Sequence, residues 1–181
     1  MKQARHILIV LLLLTMAGFA RRRDPLTEAE TDQLRDVAME PGKRVNLYFK
    51  FAEARLTTID ELRADPKAAD GRGKKIHDLL EDFTAIIDEV NDNIDRYQGW
   101  TFSKDDRKEY HKAMKEVIES SEKFDTKLQA LQTAAQTDPQ TQKEAPDFRI
   151  VLQDAIDVLK SSADMAKDYL NSKPDEPEKK K

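Results

Sequence analysis

Apolar side chains recur every three or four residues through most of the chain beyond residue 26. This is the spacing of one face of an α-helix. The most regular stretch predicts a helix over about residues 73–98, with an apolar face made of Ile76, Leu79, Leu80, Phe83, Ile86, Ile87, Val90, Ile94 and Tyr97. A strict seven-residue repeat predicts another over about residues 104–137, with a seam made of Tyr110, Met114, Val117, Ser121, Phe124, Leu128, Leu131 and Ala135.

The same spacing predicts two further long helices and a short one. Residues 43–64 form a helix whose inner face carries Val45, Tyr48, Ala52, Leu56 and Ile59. The last helix has a seam made of Phe148, Leu152, Ala155, Leu159, Ser162, Ala166 and Tyr169. A short helix over about residues 27–39 comes first, because Thr27 followed by Glu30 has the pattern of a capping box.

Breaks between these helices are predicted where proline, glycine and short polar residues gather. Glu40-Pro41-Gly42, Asp65-Pro66 and the turn from Gly99 to Ser103 each separate two helices, and residues 138–146, with two prolines, are predicted to be a loop. Short connections favour antiparallel neighbours. We therefore predict an all-α protein, an up-down-up-down antiparallel four-helix bundle with a short extra N-terminal helix.

The first twenty residues have the pattern of a secretory signal peptide. Lys2 and Arg5 precede an unbroken apolar run over residues 7–14, and Gly18 and Ala20 are the small residues that signal peptidase requires if it cleaves after Ala20. We predict a signal peptide over residues 1–20, a helical bundle domain over residues 24–172 and a disordered, charged tail over residues 173–181.

An uncleaved N-terminal anchor is the alternative for residues 1–20. Three arginines, Arg21 to Arg23, follow the apolar run, and positive charge there resists translocation. Against an anchor, residues 7–20 would form a helix only about 21 Å long, whereas the hydrocarbon core of a bilayer is roughly 30 Å thick. We expect a periplasmic or extracellular protein, or a membrane-anchored one whose bundle lies outside the cytoplasm.

Charge and composition exclude several classes of function. The chain has a net charge of −4, and removal of residues 1–20 takes away Lys2 and Arg5 but no acidic residue, which leaves −6. Such a surface repels phosphates, so we expect no nucleic-acid partner. The chain contains no cysteine, which excludes disulfides, thiol catalysis, cysteine-ligated zinc and an acylated cysteine.

Neither metal nor haem is expected. The chain has no Glu-x-x-His pattern, which di-iron bundles need to place both ligands on one inner face. His77 and Glu81 are four residues apart, but they flank the apolar face and are predicted to be a solvated pair. Met114 lies on a seam, whereas neither histidine beyond residue 20 does, so a Met-His haem site is not favoured.

Covalent catalysis is not expected either. Seam serines such as Ser121 and Ser162 are typical of close helix packing, and the carboxylates of the helix over residues 73–98 lie on a solvated face. No glycine-rich phosphate loop is present. We predict that the protein is not an enzyme and binds no cofactor.

Two places carry more apolar side chains than a simple bundle needs. Leu47 and Phe51 form a second stripe on the helix over residues 43–64, and we expect the short N-terminal helix to fold back over them. The alternative is a partner-binding face. Trp100 and Phe102 lie in the turn after Tyr97, where they either plug the end of the bundle, which packing favours, or project as an interaction tip.

The sequence therefore predicts an exported, non-catalytic protein that acts by binding or scaffolding. Candidate partner-binding residues are Leu47, Phe51, Trp100 and Phe102, and the partner would be a protein of unknown identity. The alternative is a carrier whose interior opens to hold an apolar small molecule. Its predicted lining is Tyr48, Phe83, Phe124 and Tyr169.

Overall fold

The structure, a computed structural model, describes residues 23–173. Within that range the chain is all-helical, without a strand, so the predicted all-α class is confirmed. The elements are α1 (Glu28–Asp36), α2 (Pro41–Ala64), a 3-10 helix (Pro66–Ala69), α3 (Arg72–Gln98), α4 (Lys104–Thr137) and α5 (Pro139–Ser172). The predicted signal peptide or anchor, and the predicted tail beyond residue 173, lie outside the described residues.

The junction between α1 and α2 lies earlier in the chain than the sequence suggested. The capping box is confirmed, since the Thr27 hydroxyl accepts from the backbone N–H of Glu30 at 3.2 Å and the Glu30 carboxylate accepts from that of Thr27 at 2.8 Å. However, α1 ends at Asp36 and not near residue 39. The predicted break is present, over residues 37–40, but Pro41 and Gly42 follow it as the first residues of α2, because proline fits the first turn of a helix, where its missing N–H has no partner to lose.

The predicted loop over residues 138–146 is wrong. Asp138 ends α4 and also caps α5, its carboxylate accepting from the backbone N–H of Thr141 at 2.7 Å. Pro139 again occupies the first turn, while Pro146 lies inside the helix. Pro146 faces solvent between the buried Ala145 and Phe148. The burial of these neighbours stabilises a helix that a proline alone would interrupt.

The predicted inner faces are almost entirely buried. Every predicted seam residue of α4 and α5 is buried, as is every predicted inner residue of α2. On α3 only Leu79 is partly exposed. These side chains form one hydrophobic cluster, so the described residues share a single core.

Contacts along the helices define their relative directions. The Tyr48 hydroxyl lies 3.5 Å from the Glu89 carboxylate, whereas the end of α2, at Leu62, meets the start of α3, at Arg72, so these two helices run in opposite directions. α4 runs parallel to α2, since Asn46 bonds Glu116 at 2.6 Å and Asp60 bonds Lys127 at 2.8 Å. α5 packs most extensively on α3 and α4.

Consecutive helices are not always neighbours. Both α3 and α4 pack on α2 and on α5, but they share little or no backbone contact and lie across the core from one another. Two helices on a diagonal are about 14 Å apart if neighbouring axes are separated by about 10 Å. The five residues from Gly99 to Ser103 can span up to ~17 Å, which is enough to cross that distance. A short connection therefore did not guarantee adjacent helices here.

The two ends of the helix assembly are closed differently. At one end, Arg72 forms two hydrogen bonds with the Glu144 carboxylate, at 2.8 and 2.9 Å. The other end, which we call the Trp100 end, gathers the starts of α2 and α4 and the ends of α3 and α5: Gly42 packs against Glu109, and Lys173 bonds Gln98. Among the helices within residues 23–173, none has the length and apolarity needed to cross a bilayer.

Candidate functional site

Five aromatic side chains cluster at the Trp100 end. Trp100 stands edge-on to Tyr97, with ring centroids 4.9 Å apart, and Tyr97 in turn contacts Tyr110 at 5.8 Å. Phe102 stacks on Tyr110 at 5.1 Å, and Tyr110 meets Tyr169 edge-on at 5.0 Å. The cluster, which we call the aromatic cluster, joins α3, α4 and α5 through Tyr97, Trp100, Phe102, Tyr110 and Tyr169.

Exposure differs sharply within the aromatic cluster. Tyr110 and Tyr169 are fully buried, Phe102 is half-buried, and Trp100 keeps 51% of its surface exposed. The two predicted roles of the turn are thus divided between its residues. Phe102 contributes to the plug, whereas Trp100 projects from it.

The turn holds Trp100 in place through its backbone. The Trp100 N–H donates to the carbonyl oxygen of Tyr97 at 3.1 Å, which continues the last turn of α3 past Gln98. Ser103 then starts α4 as its N-cap, as predicted, and accepts from the backbone N–H of Asp106 at 3.2 Å. The backbone of Trp100 is thus held between two helix ends, and one side of its indole contacts Tyr97.

Burial holds two hydroxyls of the aromatic cluster, those of Tyr110 and Tyr169, in the neutral form. Burial raises the pKa of Tyr110 far above its ordinary value, and the nearby Tyr169 and Tyr97 hydroxyls add to the effect. Burial also raises the pKa of Tyr169, an effect that the charge of Arg107 partly offsets. Neither the Tyr110 nor the Tyr169 hydroxyl has a hydrogen-bond partner among residues 23–173. A phenol held this way is not suited to act as a general base.

Lys173 closes the Trp100 end from the C-terminal side. Its ammonium group donates a hydrogen bond to the carbonyl oxygen of Gln98. It also lies 5.5 Å from the centroid of the Tyr169 ring, within the range of a cation–π interaction. A cation thus sits where the carbonyl end of α3 meets the aromatic cluster.

The second predicted recognition face is mostly covered. Phe51 is only 4% exposed, and Leu47 is half-buried against the core. α1 packs on α2 beside this stripe, with Leu34 buried in the same core, and an open groove of about 510 Å³ lined by Phe51 and Gln33 runs between the two helices. Phe51 is therefore a packing residue in this conformation, and Leu47 offers only a part of its side chain.

A buried ion pair fixes α1 on α2. The Arg55 guanidinium bonds both carboxylate oxygens of Glu30 and the backbone carbonyl of Pro25, the latter at 2.6 Å. Burial acts to raise the pKa of Glu30, but the hydrogen bonds from Arg55 and Thr27 outweigh it, so that the pKa lies below its ordinary value. Glu30, the partner of the N-cap Thr27 in the capping box of α1, thus also ties α1 to α2.

His77 and Glu81 form the predicted exposed pair. His77 Nε2 lies 3.5 Å from the Glu81 carboxylate, with side chains 36% and 60% exposed. Asp78 is close enough for the three ligand atoms to lie within 4.8 Å of one another. The Arg23 guanidinium bonds the Asp78 carbonyl and, at 2.6 Å, the Asp82 carboxylate, so a positive charge already occupies this region. Exposed ligands beside a fixed cation make a weak metal site.

The four residues predicted to line a carrier cavity belong to the packed core. Tyr48, Phe83, Phe124 and Tyr169 are each at most 3% exposed, and Phe83 meets Phe124 at 6.0 Å. The Tyr48 hydroxyl accepts from the Arg44 guanidinium at 2.9 Å. A surface groove between α2 and α4 reaches Phe124 but none of the other three. Ligand transport stays a prediction.

Sequence reasoning missed how the aromatic cluster assembles. Tyr110 and Tyr169 were assigned to separate seams, and Lys173 to the disordered, charged tail. One signal was available: Tyr110 is the first seam residue of α4 and Tyr169 the last of α5, so two antiparallel helices bring them to the same end. The lysine contact carries no such signal, since it depends on where α5 stops relative to α3.

No protein-family model, curated protein or solved structure matches this chain. Its function must therefore be inferred from its own residues.

Proposed function

We propose that this chain is an exported, non-catalytic protein that works by binding or scaffolding in the cell envelope or the extracellular space. The proposal places the contact with a partner at Trp100. It also assigns α2 to α5 an up-down-up-down antiparallel four-helix bundle, with α1 as the short extra helix. The observation that carries the proposal is the half-exposed Trp100 on a buried aromatic base.

Trp100 has the properties of an interface anchor. Tryptophan dominates the energetics of many interfaces because it buries a large apolar area with few rotatable bonds. Trp100 is one of three large apolar side chains prominently exposed among the described residues, the others being Met39 and Ile150, and it is the aromatic one. An anchor needs a rigid base such as the aromatic cluster, since the free energy of ordering the side chain is then small.

The topology is supported by the helix contacts. α2 and α3 run in opposite directions, and so do α4 and α5, where Gln132 bonds Gln153 while Tyr110 meets Tyr169. The core of this assembly is filled with packed side chains, and the proposal therefore puts recognition on the turn at one end.

Export rests on the sequence of residues 1–20, with its positive start, apolar run and small residues before Arg21. Mass spectrometry of the protein purified from its native cell tests this part. A chain that starts at Arg21 has been released by a signal peptidase, and a chain that starts at Met1 on an envelope-bound protein is anchored. An intact chain recovered from the cytoplasm would contradict export.

Site-specific photo-crosslinking tests the role of Trp100. A photoreactive amino acid replaces Thr101, which is exposed beside Trp100, or Ile150, which is 80% exposed on α5. In intact cells, we expect Thr101 to yield a discrete crosslinked species that Ile150 does not yield. The species should disappear when Trp100→Ala is added.

Equal crosslinking from Thr101 and Ile150, or a Thr101 product that survives Trp100→Ala, would contradict recognition at this end. Circular dichroism of Trp100→Ala provides the control for folding. Because Trp100 is half exposed, we expect the helical content to be unchanged.

A further inference from the structure

The Lys173 side chain makes two contacts of the kind that a bound cationic ligand makes. Its ammonium group meets two groups that recognise cations, the Gln98 carbonyl oxygen and the face of the Tyr169 ring. Gln98 is the last residue of α3, where carbonyl oxygens lack helical partners and the helix dipole is negative. The carbonyl, the dipole and the ring all favour a positive charge at the same point.

We propose that the Trp100 end is a binding site for a primary ammonium group, and that Lys173 occupies this site in the free protein. The ligand is an organic amine, either a small free molecule or the ethanolamine headgroup of a lipid. The ligand enters when the Lys173 side chain withdraws, and Lys173 therefore acts as a competitor built into the chain. This inference goes beyond the proposed function, because it adds a ligand site next to Trp100 that requires no protein partner.

The geometry specifies a primary ammonium in preference to a quaternary one. A hydrogen bond to the Gln98 carbonyl requires an N–H donor, which a primary ammonium has and a tetramethylammonium ion lacks. The Tyr169 ring attracts both ions. A primary amine satisfies both recognition groups, and tetramethylammonium satisfies only the ring.

Trp100 provides the readout. It is the only tryptophan in the chain and lies two residues after Gln98, in contact with Tyr97. Its fluorescence can be followed during titration of the purified, full chain with ethylammonium chloride. Sodium chloride at the same ionic strength is the control for screening, and tetramethylammonium chloride is the control for the hydrogen bond.

Two substitutions of Lys173 test whether its positive charge blocks the site. Lys173→Met removes the charge and keeps an unbranched stem, whereas Lys173→Arg keeps a cation over the ring. We expect saturable ethylammonium binding in Lys173→Met, with a dissociation constant at least about fivefold lower than in Lys173→Arg. Tetramethylammonium should bind Lys173→Met more weakly than ethylammonium.

The role of the Tyr169 ring in ethylammonium binding is tested in the Lys173→Met variant. Tyr169→Phe keeps the aromatic face and should retain ethylammonium binding, whereas Tyr169→Leu should lose it. Because Tyr169 is fully buried, Tyr169→Leu is used only if its thermal unfolding remains cooperative. If it does not fold, the comparison of Lys173→Met with Lys173→Arg decides alone.

Vesicles distinguish the two sources of the amine. Flotation of Lys173→Met with phosphatidylethanolamine-containing vesicles, but not with pure phosphatidylcholine vesicles, assigns the site to the lipid headgroup. Binding of free ethylammonium without flotation assigns it to a small amine. Equal dissociation constants of ethylammonium for Lys173→Met and Lys173→Arg would overturn the proposal. A fluorescence change that sodium chloride reproduces would overturn it too. The titrations contain no protein partner, so their failure would not change the result of the crosslinking at Thr101.

Discussion

The Arg55 guanidinium and the Glu30 carboxylate form a nearly buried ion pair between α2 and α1, with only 11% and 12% of the side chains exposed. The same carboxylate completes the capping box of α1. Formation of α1 and its attachment to α2 are therefore coupled through one residue. Since Leu34 is the only buried residue of α1, this polar contact is a large part of what holds the helix in place.

Removal of Glu30 should release α1. Glu30→Ala deletes half of the capping box and leaves the Arg55 charge without its partner, and we expect a loss of about 2 kcal/mol in the free energy of unfolding, below the ~3–5 kcal/mol of fully buried pairs. Native-state hydrogen exchange should show the backbone amides of α1 losing protection while those of α3 to α5 keep theirs. Asp32→Ala, which removes an exposed pair with Arg35, is the matched control and should cost less than about 0.5 kcal/mol. Protection of α1 in Glu30→Ala equal to that in Asp32→Ala would contradict the role of the ion pair.

The contribution of Glu30 should depend on pH in one direction. The pKa of its carboxyl in the folded protein lies below the ordinary value of 4.5, so the unfolded state takes up the proton first as the pH falls. The stabilisation is therefore fully present above about pH 5 and is lost as the pH falls through the folded-state pKa. Urea unfolding of the wild type and Glu30→Gln between pH 7 and pH 2.5 measures it. We expect the difference in free energy of unfolding between the two proteins to shrink below pH 4.5. A difference that widened as the pH fell would contradict a lowered pKa of Glu30.

A side chain at Gly73 should be destabilising, because α5 approaches this residue closely. A Cβ atom there would lie 2.5 Å from the Asp147 carboxylate and 3.0 Å from the backbone oxygen of Glu144. We expect Gly73→Ala to lower the free energy of unfolding by about 1–3 kcal/mol, as other overpacking substitutions do. Gly99→Ala is the control, since a Cβ there meets nothing within 4 Å. Equal denaturation midpoints for the two variants would show that α3 and α5 are further apart than described.

Removal of two buried tyrosine hydroxyls should have opposite effects. The Tyr110 hydroxyl has no hydrogen-bond partner among residues 23–173, so Tyr110→Phe should be neutral or stabilising by up to about 1 kcal/mol. The Tyr48 hydroxyl accepts from Arg44, so Tyr48→Phe should be destabilising by about 1 kcal/mol. Thermal unfolding of both variants measures the contrast. A clear loss of stability in Tyr110→Phe would mean that its hydroxyl is satisfied in solution.

The sequence predicted the helices well because their inner faces are periodic. The seams of α4 and α5 were predicted residue by residue, and Thr27 and Ser103 were identified as N-caps, since both features depend on residues within one or two turns. The error at residues 138–146 has the same origin. Proline lowers the local preference for helix at Pro146, and the packing of Ala145 and Phe148 that overrides it is not local.

The candidate site was less predictable because exposure is a tertiary property. The sequence favoured packing for both Phe51 and the Trp100 turn and left exposure of each as the alternative; α1 packs beside Phe51, whereas the described residues leave half of Trp100 in solvent. The diagonal placement of α3 and α4 brings Tyr97 and Tyr110 together beneath Trp100, and no sequence spacing encodes that crossing. The contact of Lys173 with Gln98 likewise depends on how two separate helices end.

The affinity of Trp100→Ala for the protein captured through Thr101 tests recognition at Trp100 most directly. With the captured partner purified, its dissociation constant is measured for the wild type, Trp100→Ala and Ile150→Ala. An anchor residue contributes at least about 2 kcal/mol, so Trp100→Ala should weaken binding roughly thirtyfold, while Ile150→Ala should change it by less than about twofold. Equal affinities for the wild type and a folded Trp100→Ala would contradict recognition through this end of the bundle.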